Sequence, residues 1–260
     1  MLFRSDMRSL WAGAGRPVQM LMDGNERCAH LAGKADVLLE WPFDQEFSRI
    51  HAEDFIRDII KGLFHARYVV VGTDFQFGYE KQGDIRMLKQ YESRYGYRLI
   101  VIEKERYVGR VISSSYIKEV LRQGDVKLAS QLLGYAYWIT GQVEHGKRLG
   151  RTLGFPTLNV AWPKEKIVPP RGVYVSEVLV DGRWFHAISN VGVKPTVSED
   201  ERVLIESFLF DYDGDAYEKT VSVRLLEFRR PEQKFESVGR LKACIDQDIE
   251  YGRRFFIVDE

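Results

Sequence analysis

Hydrophobic and polar positions change period once along this chain. In the first half, Asp36-Val-Leu-Leu-Glu40 is a short apolar run that predicts a strand. From His51 to Phe64, Phe55, Ile59, Ile60 and Leu63 fall at helical spacing, with Glu53, Asp54 and Asp58 near the positive end of the helix dipole. Arg67 to Gly72 is a β-branched run stopped by glycine, Asp84 to Tyr95 predicts a helix, and Tyr97 to Ile102 predicts another strand. Strand, helix and strand in this order predict a parallel βαβ arrangement. Residues 1–35 are irregular in pattern: Gly13, Gly15, Arg16 and Pro17 mark a loop, and no clear strand precedes it.

Ser113-Ser114-Ser115-Tyr116-Ile117-Lys118 opens a helix running to about Leu121, with serines where an N-cap belongs, and a second helix spans Asp125 to Leu133, closed by Gly134. Then the period becomes two. Tyr135 to Val143, Gly172 to Val180, Trp184 to Val191, Val203 to Phe210 and Thr220 to Phe228 predict successive strands, with a hairpin at Asp181-Gly182. An amphipathic helix from about Ser237 to Phe255 closes the pattern, its faces set by Leu241, Ile245, Asp248 and Ile249. Two domains follow from the change of period, α/β over residues 1–134 and all-β over 135–260.

Composition adds exclusions. With 45% apolar residues in 260 the chain can fill real cores, and 38 acids against 38 bases leave no net field, so no nucleic-acid or membrane surface is expected. Two cysteines, Cys28 and Cys244, match no metal or disulfide pattern, and no apolar run reaches the length of a membrane span. A soluble protein of the reducing cytoplasm is expected. The five histidines form no i, i+3 or i, i+4 pair, which argues against a histidine metal site.

Three stretches carry candidate chemistry. Gly141 to Lys147 satisfies most of a Walker A string, but Arg148 stands where Ser or Thr belongs, and Gly150, Gly154 and Pro156 forbid the helix a P-loop needs. What remains is a strand entering a cationic glycine loop: Gly146, Gly150 and Gly154 interleaved with Lys147, Arg148 and Arg151, then Pro156, Thr157 and Asn159. This composition fits a loop that wraps backbone N–H groups around phosphates, with Thr157 and Asn159 as hard oxygen donors for a shared magnesium ion. It fits equally a surface loop closed by a Pro turn. Period-2 alternation puts Glu206 on one face with Leu204 and Phe208, where it reads either as a general base or as a charge guarding an edge strand. Gly72-Thr73-Asp74-Phe75-Gln76-Phe77-Gly78 follows a parallel strand at its carboxyl end, the usual ligand position in open α/β sheets. Tyr135, Tyr137 and Trp138 read as a stacking platform or as core.

Taken together, these residues resemble the bacterial bifunctional riboflavin kinase/FAD synthetase family. Gly146 to Asn159 is similar to its kinase signature GxxxGRxxGxPTxN. Asn190 to Thr196, the Glu206 strand, Asp215-Ala-Tyr217 and Arg230-Pro-Glu-Gln-Lys-Phe235 follow in family order, with Glu218 where glycine is usual. The resemblance implies a six-stranded Greek-key barrel with a C-terminal helix. It further implies that the glycine loop cradles ATP, that Thr157 and Asn159 hold magnesium, that Asn190 and Arg230 contact flavin or nucleotide, and that Glu206 deprotonates the riboflavin 5′-hydroxyl.

The first half is similar to the family's Rossmann-like nucleotidyltransferase domain through Gly72, Asp74, Phe75, Phe77 and Gly78, and through Ser113, Ser114, Ser115 and Lys118. Lys118 stands where the family has arginine, and the HxGH string after the family's opening strand has no counterpart. The resemblance therefore implies an incomplete adenylyltransferase domain, bare sheet edges and protease access before about residue 35. The expected activity is ATP- and magnesium-dependent conversion of riboflavin to FMN with little or no FAD. The alternatives are an enzyme that also makes FAD and a non-catalytic flavin-binding regulator. The partners implied are small molecules.

Overall fold

The computed structural model describes residues 2–6, 19–146, 154–194 and 202–258. Strand β1 (Leu2–Asp6) is followed by helix α1 (Gly24–Leu31), strand β2 (Leu38–Pro42), a π-helix (Phe55–Leu63), β3 (Tyr68–Gly72), α2 (Ile85–Tyr95), β4 (Arg98–Ile102) and a hairpin of β5 (Arg106–Tyr107) and β6 (Arg110–Val111). Helices α3 (Ser114–Arg122) and α4 (Val126–Leu133) lead into β7 (Tyr137–Glu144), β8 (Leu158–Ala161), β9 (Gly172–Val180), β10 (Arg183–Lys194), β11 (Arg202–Leu209), β12 (Thr220–Pro231) and the closing helix α5 (Val238–Val258). These elements form two compact units, one of β1 with residues 31–112, the other of residues 19–30 with 113–258. The period changes at Gly134, but α3 and α4 belong to the compact unit of the barrel, because their apolar stripes pack there: Val120, Leu121, Val126 and Ala129 are all buried.

In the first unit β1 pairs in parallel with β2, and β3 with β4, the latter in register from Tyr68↔Arg98 to Gly72↔Ile102. Asp84 caps α2 by accepting from the Met87 amide at 2.9 Å, and Gly96 ends it in the left-handed conformation that favours glycine. The expected helix over 51–64 is present, but its winding is π over nine residues. The wider turn buries Phe55, Ile56, Ile59 and Ile60 and carries Leu63 out to 52% exposure, which corrects the inward position expected for Leu63.

The second unit is built on a closed six-stranded antiparallel barrel in the order β10-β11-β8-β7-β12-β9. Its inward positions include Ile139, Val160, Val178, Ile205 and Val223, all buried, and three joined serines: Ser189 lies 2.7 Å from both Ser176 and Ser207. Asp181 and Gly182 both take positive φ, 49° and 81°, as a two-residue type I′ hairpin requires. Tyr137 belongs to the core reading: it is buried, and its hydroxyl donates to the Ile167 carbonyl at 2.7 Å. Helix α5 covers one outer flank, where Val173, Val175, Ile188 and Phe210 pack with Ile249, Phe255 and Phe256.

Three features of the pattern need correction. Residues 1–35 are not without structure: β1 is a strand, though five residues interrupted by Arg4 and Asp6 carry little periodic signal. Residues 19–30 are held by buried chemistry, so the protease access expected there does not fit. Met20 bridges Lys166, and Glu26 forms a wholly buried ion pair with Lys166, which also donates to the Trp138 carbonyl. The third is β8, only four residues long, which lay unread in the tail of the glycine stretch.

Candidate functional site

Register assembles the site. Glu144 pairs with Asn159, Asn159 with Glu206, Glu206 with Asn190, Asn190 with Val173, and Val173 with Arg230. These six residues form one lateral row around the barrel, one from each strand. Their neighbours Val143, Val160, Ile205, Ser189 and Tyr174 point into the interior, so alternation turns the row outward.

On that face a cavity of about 570 Å³ opens between the barrel and α5. Thr157, Asn190, Glu206 and Arg230 all line it, as do Phe155, Val173, Ile188 and Phe208 from the barrel side and Leu241, Ile245 and Asp248 from the helix. Its size is that of a site for one drug-sized ligand, apolar with a few polar groups. Phe155 and Phe208 meet edge to face at 5.8 Å and form one wall. Because β11 lies between β10 and β8 in a closed barrel, it has no free edge, and the edge-guard reading of Glu206 loses its physical basis.

The start of the glycine stretch is shaped by Asn159. A Cβ on Gly146 would sit 2.7 Å from Asn159 Nδ2 and 3.2 Å from its Oδ1, so only glycine lets the strand end approach that amide. Gly154 takes φ of 89°, which also favours glycine, and Phe155 is buried before Pro156. Lys147, Arg148, Gly150 and Arg151 lie outside the described residues. Asn190 donates from Nδ2 to Glu232 Oε1 at 3.4 Å, and Arg230 is ion-paired with Asp248 at 2.7 Å. Glu218, which stands where glycine is usual, has φ of 64°, and that geometry is why glycine suits the position.

The candidate residues of the first half behave differently. Gly72 ends β3 at the carboxyl edge of the parallel pair. Asp74 accepts from Lys104, and that hydrogen bond holds its carboxyl below the usual range. Phe75 and Phe77 stack at 5.5 Å and pack on the hydrophobic cluster with Phe47 and Phe55. Gly78 has φ of 76°, and a Cβ there would meet the Ala52 Cα at 2.6 Å. Ser113 caps α3 by accepting from the Tyr116 amide at 3.2 Å, Ser114 and Ser115 form its first turn, and Lys118 has its pKa lowered by burial and by the Arg122 charge. The loop from Gly72 to Gly78 and the serine turn belong to different compact units.

Sequence reasoning missed most of the cavity wall. Phe155, Ile188 and Val173 carry no motif. The stripe of Leu241, Ile245 and Asp248 was visible as a helix face, but nothing in its spacing says what the face meets.

Among the described residues no group of three His, Cys, Asp or Glu side chains could hold a metal ion, and no helix is long and apolar enough to cross a membrane. The chain matches the Flavokinase family (riboflavin kinase) over residues 133–256 and the FAD_syn family (FAD synthetase) over residues 1–116. It is 35% identical to the bifunctional riboflavin kinase/FMN adenylyltransferase of Haemophilus influenzae, covering 98% of this chain and 83% of that protein. It is 34% identical to the protein of the same name from Escherichia coli K12, covering 98% and 82%. Among solved structures, the macrolide-efflux protein from Streptococcus pneumoniae superposes with a TM-score of 0.84 at 29% identity, covering 96% of this chain and 81% of that one.

Proposed function

The chain belongs to the bifunctional riboflavin kinase/FMN adenylyltransferase family and is a riboflavin kinase, and we propose that the cavity between the barrel and α5 is where it phosphorylates riboflavin to FMN. One observation carries this reading: Thr157, Asn190, Glu206 and Arg230, drawn from four separate segments, line a single cavity. The apolar walls suit a flat ring system, and the outward row of the barrel suits its polar tail and the phosphates of ATP.

In this reading the 5′-hydroxyl lies against Glu206, whose carboxylate takes the proton as the oxygen bonds to the γ-phosphorus and the bond to ADP breaks. Such a base is worth about 10²–10⁴-fold in rate. Asn190 and Arg230 orient the flavin, and the glycine loop from Gly146 to Gly154 encloses the phosphates. Thr157 and Asn159 are the residues that would hold magnesium. Two hard oxygen donors fit a cation whose remaining ligands are phosphate oxygens and water, the usual manner of magnesium with ATP. Magnesium, when bound, offsets charge on the transferring phosphoryl group.

Incubation of the protein with riboflavin, ATP and magnesium, followed by separation of the flavins, tests the reading. FMN is expected, and its absence would sink the kinase assignment. The match to FAD synthetase over residues 1–116 favours a second reading in which FAD is also made. Against it stand Lys118 in place of the family's arginine and the packing of Phe75 and Phe77 into the core. The same assay separates the two: little or no FAD supports a kinase alone, and robust FAD supports both activities.

A further inference from the structure

Arg230 reaches the cavity from the end of β12, and its guanidinium is gripped from the side of α5. Its Nε donates to Asp248 Oδ1 at 3.1 Å and to Oδ2 at 3.0 Å, and its Nη2 donates to Oδ2 at 2.7 Å. Nη1 donates to the Pro231 carbonyl at 3.2 Å. Asp248 is only 3% exposed and lines the same cavity as Ile245 and Leu241, one and two helical turns before it. A carboxylate buried to that degree is costly unless it is paired, and a leucine would seal the helix to the barrel without that cost. What the pair adds is direction. A planar fork bound along its Nε and Nη2 edge cannot swing, and its remaining N–H donors are held on the side away from Asp248.

We propose that Asp248 is a positioning residue for the kinase reaction: it acts through Arg230, holding the guanidinium in the orientation that binds the flavin acceptor. The proposal rests on riboflavin occupying this cavity. It also explains why β12 extends to Pro231, since the strand must carry Arg230 to the helix at Asp248.

Steady-state kinetics on the full chain test it, with Asp248→Asn, Asp248→Glu, Arg230→Lys and the double variant Arg230→Lys/Asp248→Asn. Asp248→Asn is expected to raise the riboflavin KM about tenfold while the ATP KM stays within about twofold and kcat within about threefold. Asp248→Glu recovers most of the loss, and the double variant is about as impaired as Arg230→Lys alone, because the two side chains act as one unit. An unchanged riboflavin KM in a folded Asp248→Asn protein overturns the proposal. So do equal shifts in both KM values with a fall in Tm, or multiplicative effects in the double variant. Should Asp248→Asn fail to fold, Asp248→Ser decides: a riboflavin KM raised while the ATP KM holds supports the proposal, and an unchanged riboflavin KM or equal changes for both substrates overturn it. Ile188→Trp, which fills the cavity, separates the premise from the proposal. If it leaves the riboflavin KM unchanged, riboflavin binds elsewhere and both fall. If it raises that KM while Asp248→Asn does not, the positioning role alone is lost.

Discussion

Asn159 on β8 and Glu206 on β11 are direct register partners on the outer face of the barrel. A cross-strand pair brings Cβ atoms within roughly 5 Å of each other, so a phosphate-side donor and a base for the acceptor hydroxyl share one patch of sheet. Glu206→Gln keeps the shape and removes the charge that accepts a proton. Turnover is expected to fall about 10²–10⁴-fold with riboflavin affinity little changed, since the group acts mainly in the transition state. Single-turnover kinetics together with riboflavin fluorescence titration check it, and parallel loss of binding and rate would assign Glu206 to ground-state contact instead.

The wholly buried pair of Glu26 and Lys166 predicts strong coupling. Burial raises the Glu26 pKa against the attraction of Lys166, and burial lowers the Lys166 pKa against that of Glu26. Removing one partner by Glu26→Gln or Lys166→Met leaves the other stranded, at a cost of about 3–5 kcal/mol. The double variant should lose less than the sum by about 2 kcal/mol. It should not be neutral, because one of the Thr140 and Asp23 amides loses its acceptor oxygen and the Trp138 carbonyl loses its donor. The pH dependence follows by sign. The Glu26 contribution is full below the ordinary 4.5 and is lost as pH rises through its raised value. That of Lys166 is full above the ordinary 10.5 and is lost as pH falls through its lowered value. Urea unfolding across pH should show both slopes vanish in the double variant.

The same pair predicts that the kinase barrel cannot be cut free by sequence position alone. Residues 19–30 belong to its compact unit, with the Met20 amide donating to the Glu165 carbonyl at 2.6 Å and the Ile167 amide donating to the Met20 carbonyl at 2.9 Å. A chain beginning at residue 113 keeps every strand of the barrel but loses the Lys166 counter-charge. It should be less stable than the full chain, and a synthetic peptide of residues 19–31 should raise its Tm. Equal melting with and without the peptide would show that the segment is dispensable.

How far the sequence could be read depended on the kind of information each feature carries. Strands of nine to twelve residues, such as β9 and β12, announce themselves by alternation and by the turn at Asp181-Gly182. The four residues of β8 do not, because Leu158, Val160 and Ala161 around one asparagine make no period. The polar members of the cavity were legible because their types sit in motifs, and Glu206 stood out as a carboxylate among apolar neighbours. Its burial face was legible too, but the absence of an edge was not, because closure of a barrel is a property of all six strands. Nothing in the sequence marks Glu26 as buried, because its partner Lys166 lies 140 positions away. Asp248 was visible only as one mark on a helix face.

Glu218 offers a stability test that leaves the site alone. The residue is exposed and held at φ of 64°, where a side chain is strained by about 1–2 kcal/mol relative to glycine. Part of that is offset by the greater chain entropy of glycine. Glu218→Gly should therefore raise stability by about 1 kcal/mol, a shift in Tm of about 2–4 °C for a unit of this size, with kinase activity unchanged. Gln142 donates to the backbone carbonyl of Glu218, which the substitution retains. A fall in Tm would mean that the glutamate side chain contributes more than its backbone strain costs.

Thr157 and Asn159 can be separated from Glu206 by their dependence on magnesium. Thr157 lines the cavity, and Asn159 is 7% exposed, pressed against Gly146 by a clearance that no side chain on Gly146 would allow. If these two hold the cation with ATP, Thr157→Ala should raise the magnesium concentration needed for half-maximal rate about tenfold, the effect of one lost oxygen ligand or charge-assisted contact. The riboflavin affinity measured without nucleotide should not change. Gly146→Ala reaches the same site from the other side: its methyl displaces the Asn159 amide, so it too should raise the magnesium requirement, although alanine adds no charge and removes no ligand. Glu206→Gln should leave that requirement where it is and lower only the plateau. Magnesium titrations at saturating ATP for the three variants give distinct patterns, and an unchanged requirement in both Thr157→Ala and Gly146→Ala would place the cation away from this strand pair.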